Sequence, residues 1–541
     1  MLSEGFEPPI TGSKPVVISI SLREPACRQA GLQHKFKLYL MKVQLNIPKE
    51  VSAVLAELER NNHKAYLVGG CVRDVLLKRE PKDWDVTTSA KPEEIQKIFP
   101  ESVYENKFGT VGIKTGSDDS KLAIVEVTTF RREEKYSDFR HPDKIEFAKT
   151  VEEDLSRRDF TINAMALEIL NPCLAGRQVK SQISKIVDPY NGQKDLENKI
   201  IRAAGEPEER FKEDALRLMR AVRFAAELGF AIEEKTADAV KSCAYLLEVI
   251  AKERIRDEFV KIIMSEKNGS AWGVAMLENL GLLKYIIPEL REGIDIGQNK
   301  HHIYTVWEHN LRVLDYAAQH NCSLEVRLAS LFHDVGKPRA KRGEGPDSTF
   351  YGHEVVGARI AVKILDRLHF SKEIIERASH LVRHHLFYYN VGEVTEAGVR
   401  RFLSRVGSEN IDDLLKIREA DRIGSGVPKA VPYKTRHLQF MIEKVKADPI
   451  SPKMLQVNGT DVMKLLNIEP GPKIGWILSI LLDEVLDDPK KNNKENRELR
   501  IRELDKLSDG ELVKMSKEAR EKKEEFESGI EEEMKRKYYV K

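Results

Sequence analysis

Two aspartates one residue apart, in Asp83-Trp84-Asp85, are the first candidates for chemistry. On a strand, residues i and i+2 face the same way, so both carboxylates aim at one point. Two anions held together are costly unless a cation neutralises them. A hard divalent ion such as Mg2+ suits that place, because it takes one or two carboxylates together with phosphate oxygens. Glu126, in Ile124-Val125-Glu126-Val127-Thr128, offers a third carboxylate from a neighbouring strand. The chemistry implied is two-metal phosphoryl transfer. A bare Asp-x-Asp is more often a solvated turn, and Glu126 alone would read as an edge-strand acid. What favours function is Leu67-Val68-Gly69-Gly70-Cys71-Val72-Arg73-Asp74 just upstream. Its glycines let the backbone approach a ligand, and the free N–H groups of a helix start favour phosphate. A second set lies far downstream. His333-Asp334 follows the apolar run Val326–Phe332, with His309 before it and Asp421 after it, and with His353-Glu354 and His384-His385 between. Such nitrogen and oxygen donors suit a divalent metal. Most of the 14 histidines fall between His301 and His385, more than packing alone would gather there. His301 and His302 read as surface or supporting residues.

The elements that must position these groups divide the chain by pattern. From Tyr66 to Glu168 helix and strand alternate, with strands expected at Ala65–Val68, Trp84–Thr87 and Ala123–Phe130 and a helix at Val72–Leu77. After Glu208 the spacing is helical, over Phe211–Leu228, Glu234–Ala251, Glu253–Met264, Leu311–Tyr316, Leu324–Phe332, Val355–Leu368 and Lys372–Arg383. From about Asn492 the chain is dense in Lys, Arg and Glu and reads as a solvated helix or coil. Residues 1–40 carry no sustained period and no signal peptide. Met41 reads as the biological start, with a native disordered tail as the alternative. The five cysteines are scattered without a CxxC pair, which points to a reducing, cytoplasmic setting without a cysteine zinc site. No run of ~18 apolar residues exists for a membrane span.

Leu67–Asp85 resembles the signature of the class II nucleotidyltransferases, which include CCA-adding tRNA nucleotidyltransferases and bacterial poly(A) polymerases. The resemblance continues in Asp154-Leu155-Ser156-Arg157-Arg158-Asp159-Phe160-Thr161-Ile162-Asn163-Ala164, in Asp188-Pro189-Tyr190-Asn191-Gly192 and in Glu213-Asp214-Ala215-Leu216-Arg217-Leu218-Met219-Arg220-Ala221-Val222-Arg223-Phe224. It implies an α/β nucleotidyltransferase head built on a mixed sheet, an all-α neck and body, and Mg2+ held by Asp83 and Asp85 with Glu126 as helper. Tail-end His309, His333-Asp334 and Asp421 resemble the HD phosphohydrolase superfamily, which implies an all-α HD domain. There His353 and either His384 or His385 would be the extra ligands of a dinuclear version, with a metal of unknown identity. The expected division is a leader to residue 40, a head over 41–175, a neck and body over 176–290, an HD domain over 291–440 and a charged helical tail over 441–541.

Asp214 and Arg217 suit nucleotide selection on hydrogen-bond type. Cytosine and adenine each place an exocyclic amino donor beside a ring-nitrogen acceptor. An aspartate accepts from the first and an arginine donates to the second, whereas uracil and guanine reverse the order. On one helix the two side chains would be neighbours. Arg220 and Arg223 continue the series and are placed to meet phosphate or orient the base reader. The resemblance assigns nucleotide contacts to Gly70, Arg73 and Arg158, while nothing in the residue types separates Arg157 from Arg158. It also makes Phe130–Pro142 the loop with which complete CCA-adding enzymes switch from C to A. The expected partners are a tRNA 3′ end, CTP and ATP. A poly(A) polymerase, a partial CC- or A-adding enzyme, and an RNA-binding protein with an inactive head stay open.

Basic residues number 89 and acidic 87 in 541, a formal charge of +2, which argues against a wholly basic nucleic-acid binder but not against a local basic face.

Overall fold

The computed structural model describes residues 47–104, 109–134, 144–170, 183–266, 268–298, 303–387, 389, 391–392, 394–426 and 433–521. The leader, most of the Phe130–Pro142 loop, His301, His302, Cys27 and Cys173 lie outside them.

The head is built on nine strands: β1 (Ala65–Val68), β2 (Asp85–Thr88), β3 (Ser102–Tyr104), β4 (Thr110–Lys114), β5 (Ile124–Thr129), β6 (Arg131–Glu134), β7 (Lys144–Phe147), β8 (Ala166–Leu170) and β9 (Ile183–Val187). Seven form one mixed sheet in the order β3-β4-β5-β2-β1-β8-β9, and β6 and β7 make a separate antiparallel ribbon. β2 and β5 run parallel, and their register sets Asp85 opposite Glu126. Alternation explains the rest: Val125, Val127 and Thr129 point into the core while Glu126 points out. β1, in the middle of the sheet, is buried at every position, as its unbroken apolar run demands.

Beyond the head the described chain is almost wholly helical. The expected single helix Phe211–Leu228 is instead two, Pro207–Glu213 and Leu216–Leu228. Asp214 between them is extended, and its carboxylate accepts the Leu216 N–H at 3.1 Å while its carbonyl accepts the Arg217 N–H. Aspartate favours such a cap over a helix interior, which is why apolar periodicity alone misled. The helix expected to reach Ala251 stops at Cys243 and passes into a 3-10 turn, Ala244–Val249.

Helices Val306–Gln319, Leu324–Phe332, His353–Arg367, Lys372–His384 and Ile411–Gly424 pack as one bundle. Gly336 is required there, because a Cβ on it would fall 2.2 Å from the His353 carbonyl oxygen. Buried Arg327 ties this bundle to the preceding helix Lys252–Ile263 by donating to the Ile263 and Ser265 carbonyls at 2.9 and 3.0 Å. The described part of the charged C-terminal segment is not simply a solvated helix. Lys494–Asp505 buries Arg497, Ile501 and Leu504, with Arg497 meeting the Leu481 carbonyl and Glu484.

Candidate functional site

The Gly69-Gly70 turn joins β1 to the helix Gly70–Leu76. Gly69 has φ +75°, and a Cβ there would lie 2.6 Å from Arg158 Nη1 and 3.4 Å from Asp85 Oδ2. The turn, Arg158 and Asp85 therefore converge on one spot. Asp83 precedes β2 in an exposed bend, and Asp85 is partly buried at the strand's start. Burial pushes the Asp85 carboxyl up, Arg158 pulls it back in part, and Asp83 pushes it further up. A cation would relieve that accumulation of negative charge, so this donor set fits a divalent metal.

The structure separates Arg157 from Arg158. Both pair with fully buried Asp154, Arg157 closely at 2.9 Å and Arg158 loosely at 3.7 Å, and of the two it is Arg158 that faces Gly69 and Asp85. Burial would raise the Asp154 carboxyl, but Arg157 and Arg158 together hold it below the usual carboxylate range. Asp154 also accepts from Thr87 Oγ1 on β2 and from the Arg131 N–H where β6 starts. Arg73 donates to Asn163 at 2.9 Å and pairs with Asp74.

Each predicted neck arginine is engaged by an acid within the chain. Arg217 pairs with Glu213, not with Asp214, and donates to the carbonyls of Arg157 and Arg210. Asp214 instead accepts from Arg254 at 2.8 Å. Arg220 Nε donates to Asp159 at 2.7 Å, and Arg223 pairs with buried Glu258 at 3.2 Å. Burial would raise the Asp159 carboxyl, yet Arg220 and Asn163 hold it well below its usual range. Arg73, Arg220 and Arg223 surround the Phe224 ring at 5.2, 5.2 and 4.0 Å, a cation–π cluster. Arg254, Asp154, Asp159 and Phe224 escaped the sequence reading. Asp154, Asp159 and Phe224 at least lie inside the recognised motifs, but nothing in the sequence joins Arg254 to Asp214.

In the helical bundle, His309 Nε2 lies 3.0 Å from His333 Nε2, 3.2 Å from Asp421 Oδ1 and 3.4 Å from Asp334 Oδ2. Ligand atoms about 2.1 Å from one ion stand roughly 3.0–3.4 Å apart at right-angled or tetrahedral geometry. The other Asp334 oxygen faces His353 at 3.3 Å and His385 at 3.8 Å. His309, His333 and Asp334 form one metal-competent group, and Asp334, His353 and His385 a second. His384, the other candidate, turns away to pack on His380 with ring centroids 4.5 Å apart. Burial, His333 and His353 press His385 down to about 3, so it stays the neutral imidazole that metals bind. Burial would raise Asp334, but His333 and Lys337 hold it far down; Lys337 Nζ lies 2.5 Å from it.

Residues 65–202 match a family model described as "Poly A polymerase head domain", 229–294 one described as "Probable RNA and SrmB- binding site of polymerase A", and 306–424 the HD domain. A CCA-adding enzyme of Lactobacillus helveticus is 48% identical over 39% of this chain, and the chain spans only 48% of that relative. Longer matches exist. The Ligilactobacillus salivarius CCA-adding enzyme is 46% identical over 83% of this chain and 96% of its own length, and that of Enterococcus faecalis 32% identical over 83% and 94%. A solved structure of the Bacillus stearothermophilus CCA-adding enzyme in complex with CTP superposes with TM-score 0.61 at 27% identity, covering 84% of this chain and 96% of that one. With a nucleotidyltransferase head, a helical neck and an HD bundle matched in that order, the chain belongs to the CCA-adding enzyme family.

Proposed function

We propose that this chain adds the 3′-terminal CCA to tRNA from CTP and ATP without a nucleic-acid template. The observation that carries the reading is the convergence of Asp85, Arg158 and the Gly69 turn, with Glu126 in register across the parallel strand pair. The tRNA 3′ hydroxyl attacks the α-phosphate, a new phosphodiester forms, and pyrophosphate leaves. Asp83 and Asp85 would hold Mg2+, with Glu126 as helper, and the ion supplies neutralisation of the triphosphate charge. Arg158, Gly70 and Arg73 bind the triphosphate side. Asp214 accepts from the exocyclic amino group of C or A, and Arg217 donates to the ring nitrogen. Arg220 and Arg223, held by Asp159 and Glu258, orient that reader. The RNA is gripped through its backbone and shape.

The same reading divides the chain into a head, a neck and body ending at 290, an HD domain over 291–440 and a tail over 441–541; the head expected over 41–175 extends further, because β9 completes its sheet. It sets the protein in the cytoplasm, a setting supported by the free, buried thiols of Cys71, Cys243 and Cys322. No described helix is long and apolar enough to cross a membrane. The test is incubation of purified protein with tRNA lacking its CCA end and single labelled nucleotides. C should enter from CTP alone, and A only after two C additions. Incorporation of A without prior C would instead identify a poly(A) or A-adding enzyme. Asp83→Ala should abolish both additions, and unchanged addition would remove Asp83 from the metal site.

A second reading rests on Asp334, whose two oxygens face different histidine pairs. On this reading the HD domain is a dinuclear phosphohydrolase in which His309, His333, Asp334 and Asp421 would hold one divalent ion, and His353 and His385 would complete a second site.

A further inference from the structure

The helix Lys252–Ile263 brings Arg254 to Asp214 from outside every motif recognised in the sequence. Arg254 Nη2 donates to Asp214 Oδ2 at 2.8 Å, and the Leu216 N–H donates to Oδ1 at 3.1 Å. Each oxygen is thus engaged once and keeps a second lone pair. The cations nearest by are committed elsewhere, Arg217 to Glu213 and Arg220 to Asp159. The other end of the Arg254 fork, Nη1, is buried and has no hydrogen-bond partner among the described residues. A buried N–H without an acceptor is unfavourable, and a bound ligand offering an oxygen or nitrogen there relieves the cost.

We propose that Arg254 is a specificity-determining positioning residue of the nucleotidyltransferase. It clamps the Asp214 carboxylate as an acceptor of fixed direction, and it leaves Nη1 for an acceptor that the nucleotide brings. A carboxylate free to turn no longer holds an acceptor against the carbonyl that uracil presents in place of the cytosine amino group, so the repulsion that excludes uracil is lost. The proposal rests on the reading of Asp214 as base reader.

The experiment compares kcat/KM for CTP and UTP on tRNA lacking its CCA end, using the full chain. Arg254→Gln should lose C-over-U selectivity by about tenfold or more, because a neutral amide lacks the charged fork that holds the carboxylate in one direction. Arg254→Lys should recover part of it by restoring the charge without the fork. Asp214→Asn combined with Arg254→Gln should be no less selective than Asp214→Asn alone, because one residue acts through the other. Selectivity within about twofold of the parent in Arg254→Gln, or losses that multiply in the double variant, overturns the proposal. Thermal melting reports folding, and if Arg254→Gln does not fold, the Lys variant carries the comparison, with full parental selectivity counting against the clamp. A parent that adds neither C nor A refutes the base-reading assignment itself, a result distinct from failure of the clamp.

Discussion

Asp159 has its carboxylate in the core and its partner at the edge of the nucleotide site. Arg220, the Asn163 amide and the Phe160 N–H all donate to it. Asp159→Asn keeps the shape and removes the charge. It should cost about 3 kcal/mol, the lower end for breaking a buried pair because Arg220 keeps some exposure. The sign follows from the depressed carboxyl: its contribution is present above the unfolded value near pH 4, about the ordinary carboxyl range, and fades as pH falls through the lower folded value. Denaturant melts should show the gap between parent and variant constant at neutral pH and shrinking only in acid; a gap that grows in acid contradicts this. At this scale the sequence already named Asp83, Asp85, Arg158, Asp214 and the three neck arginines. It could not show that each arginine has its own acid, because Glu213, Asp159 and Glu258 sit at unrelated separations along the chain. The choice between His384 and His385 likewise waited on which helix face turned inward.

Elements were legible where one period dominates. The strand Ala65–Val68 and the helix Leu324–Phe332 fall where a short unbroken apolar run and helical apolar spacing set them. Strands β3, β4 and β6–β9 went unread: all are short, β6 and β7 are rich in charge, β4 holds a glycine, and a short apolar run such as β8 does not separate strand from helix. Legibility failed most in the tail, where sparse apolar residues hide among charges. Ile501, Leu504 and Leu512 are fully buried there, and Arg497 is buried against a helix carbonyl. Burial of such aliphatic side chains contributes roughly 1.5–3 kcal/mol each. Removing residues 492–541 should therefore lower the melting temperature by several degrees and promote association through the uncovered helix Pro472–Asp487. Melting and light scattering check this, and a truncated protein as stable and monodisperse as the parent would restore the solvated-tail reading.

Across the whole molecule, the near-zero net charge conceals two separate arrangements of opposite charges. One sets arginines and acids around the proposed nucleotide site in the head and neck, and the other gathers histidines and an aspartate that could hold a metal in the bundle. Because no catalytic group is shared between them, His333→Ala should reduce bound divalent metal and abolish hydrolysis of 2′,3′-cyclic phosphate or a phosphomonoester with Mg2+, Mn2+ or Ni2+. Addition of C and A should persist. Loss of both activities would join the two sites into one, and an inactive parent with all three metals would reject hydrolysis. The Arg327 clasp bears on this independence. This guanidinium grips carbonyls of the preceding module from inside the next. A protease nick between them would leave both halves in one particle. The two centres therefore exist in fixed one-to-one supply, and a cell can raise or lower their abundance only together.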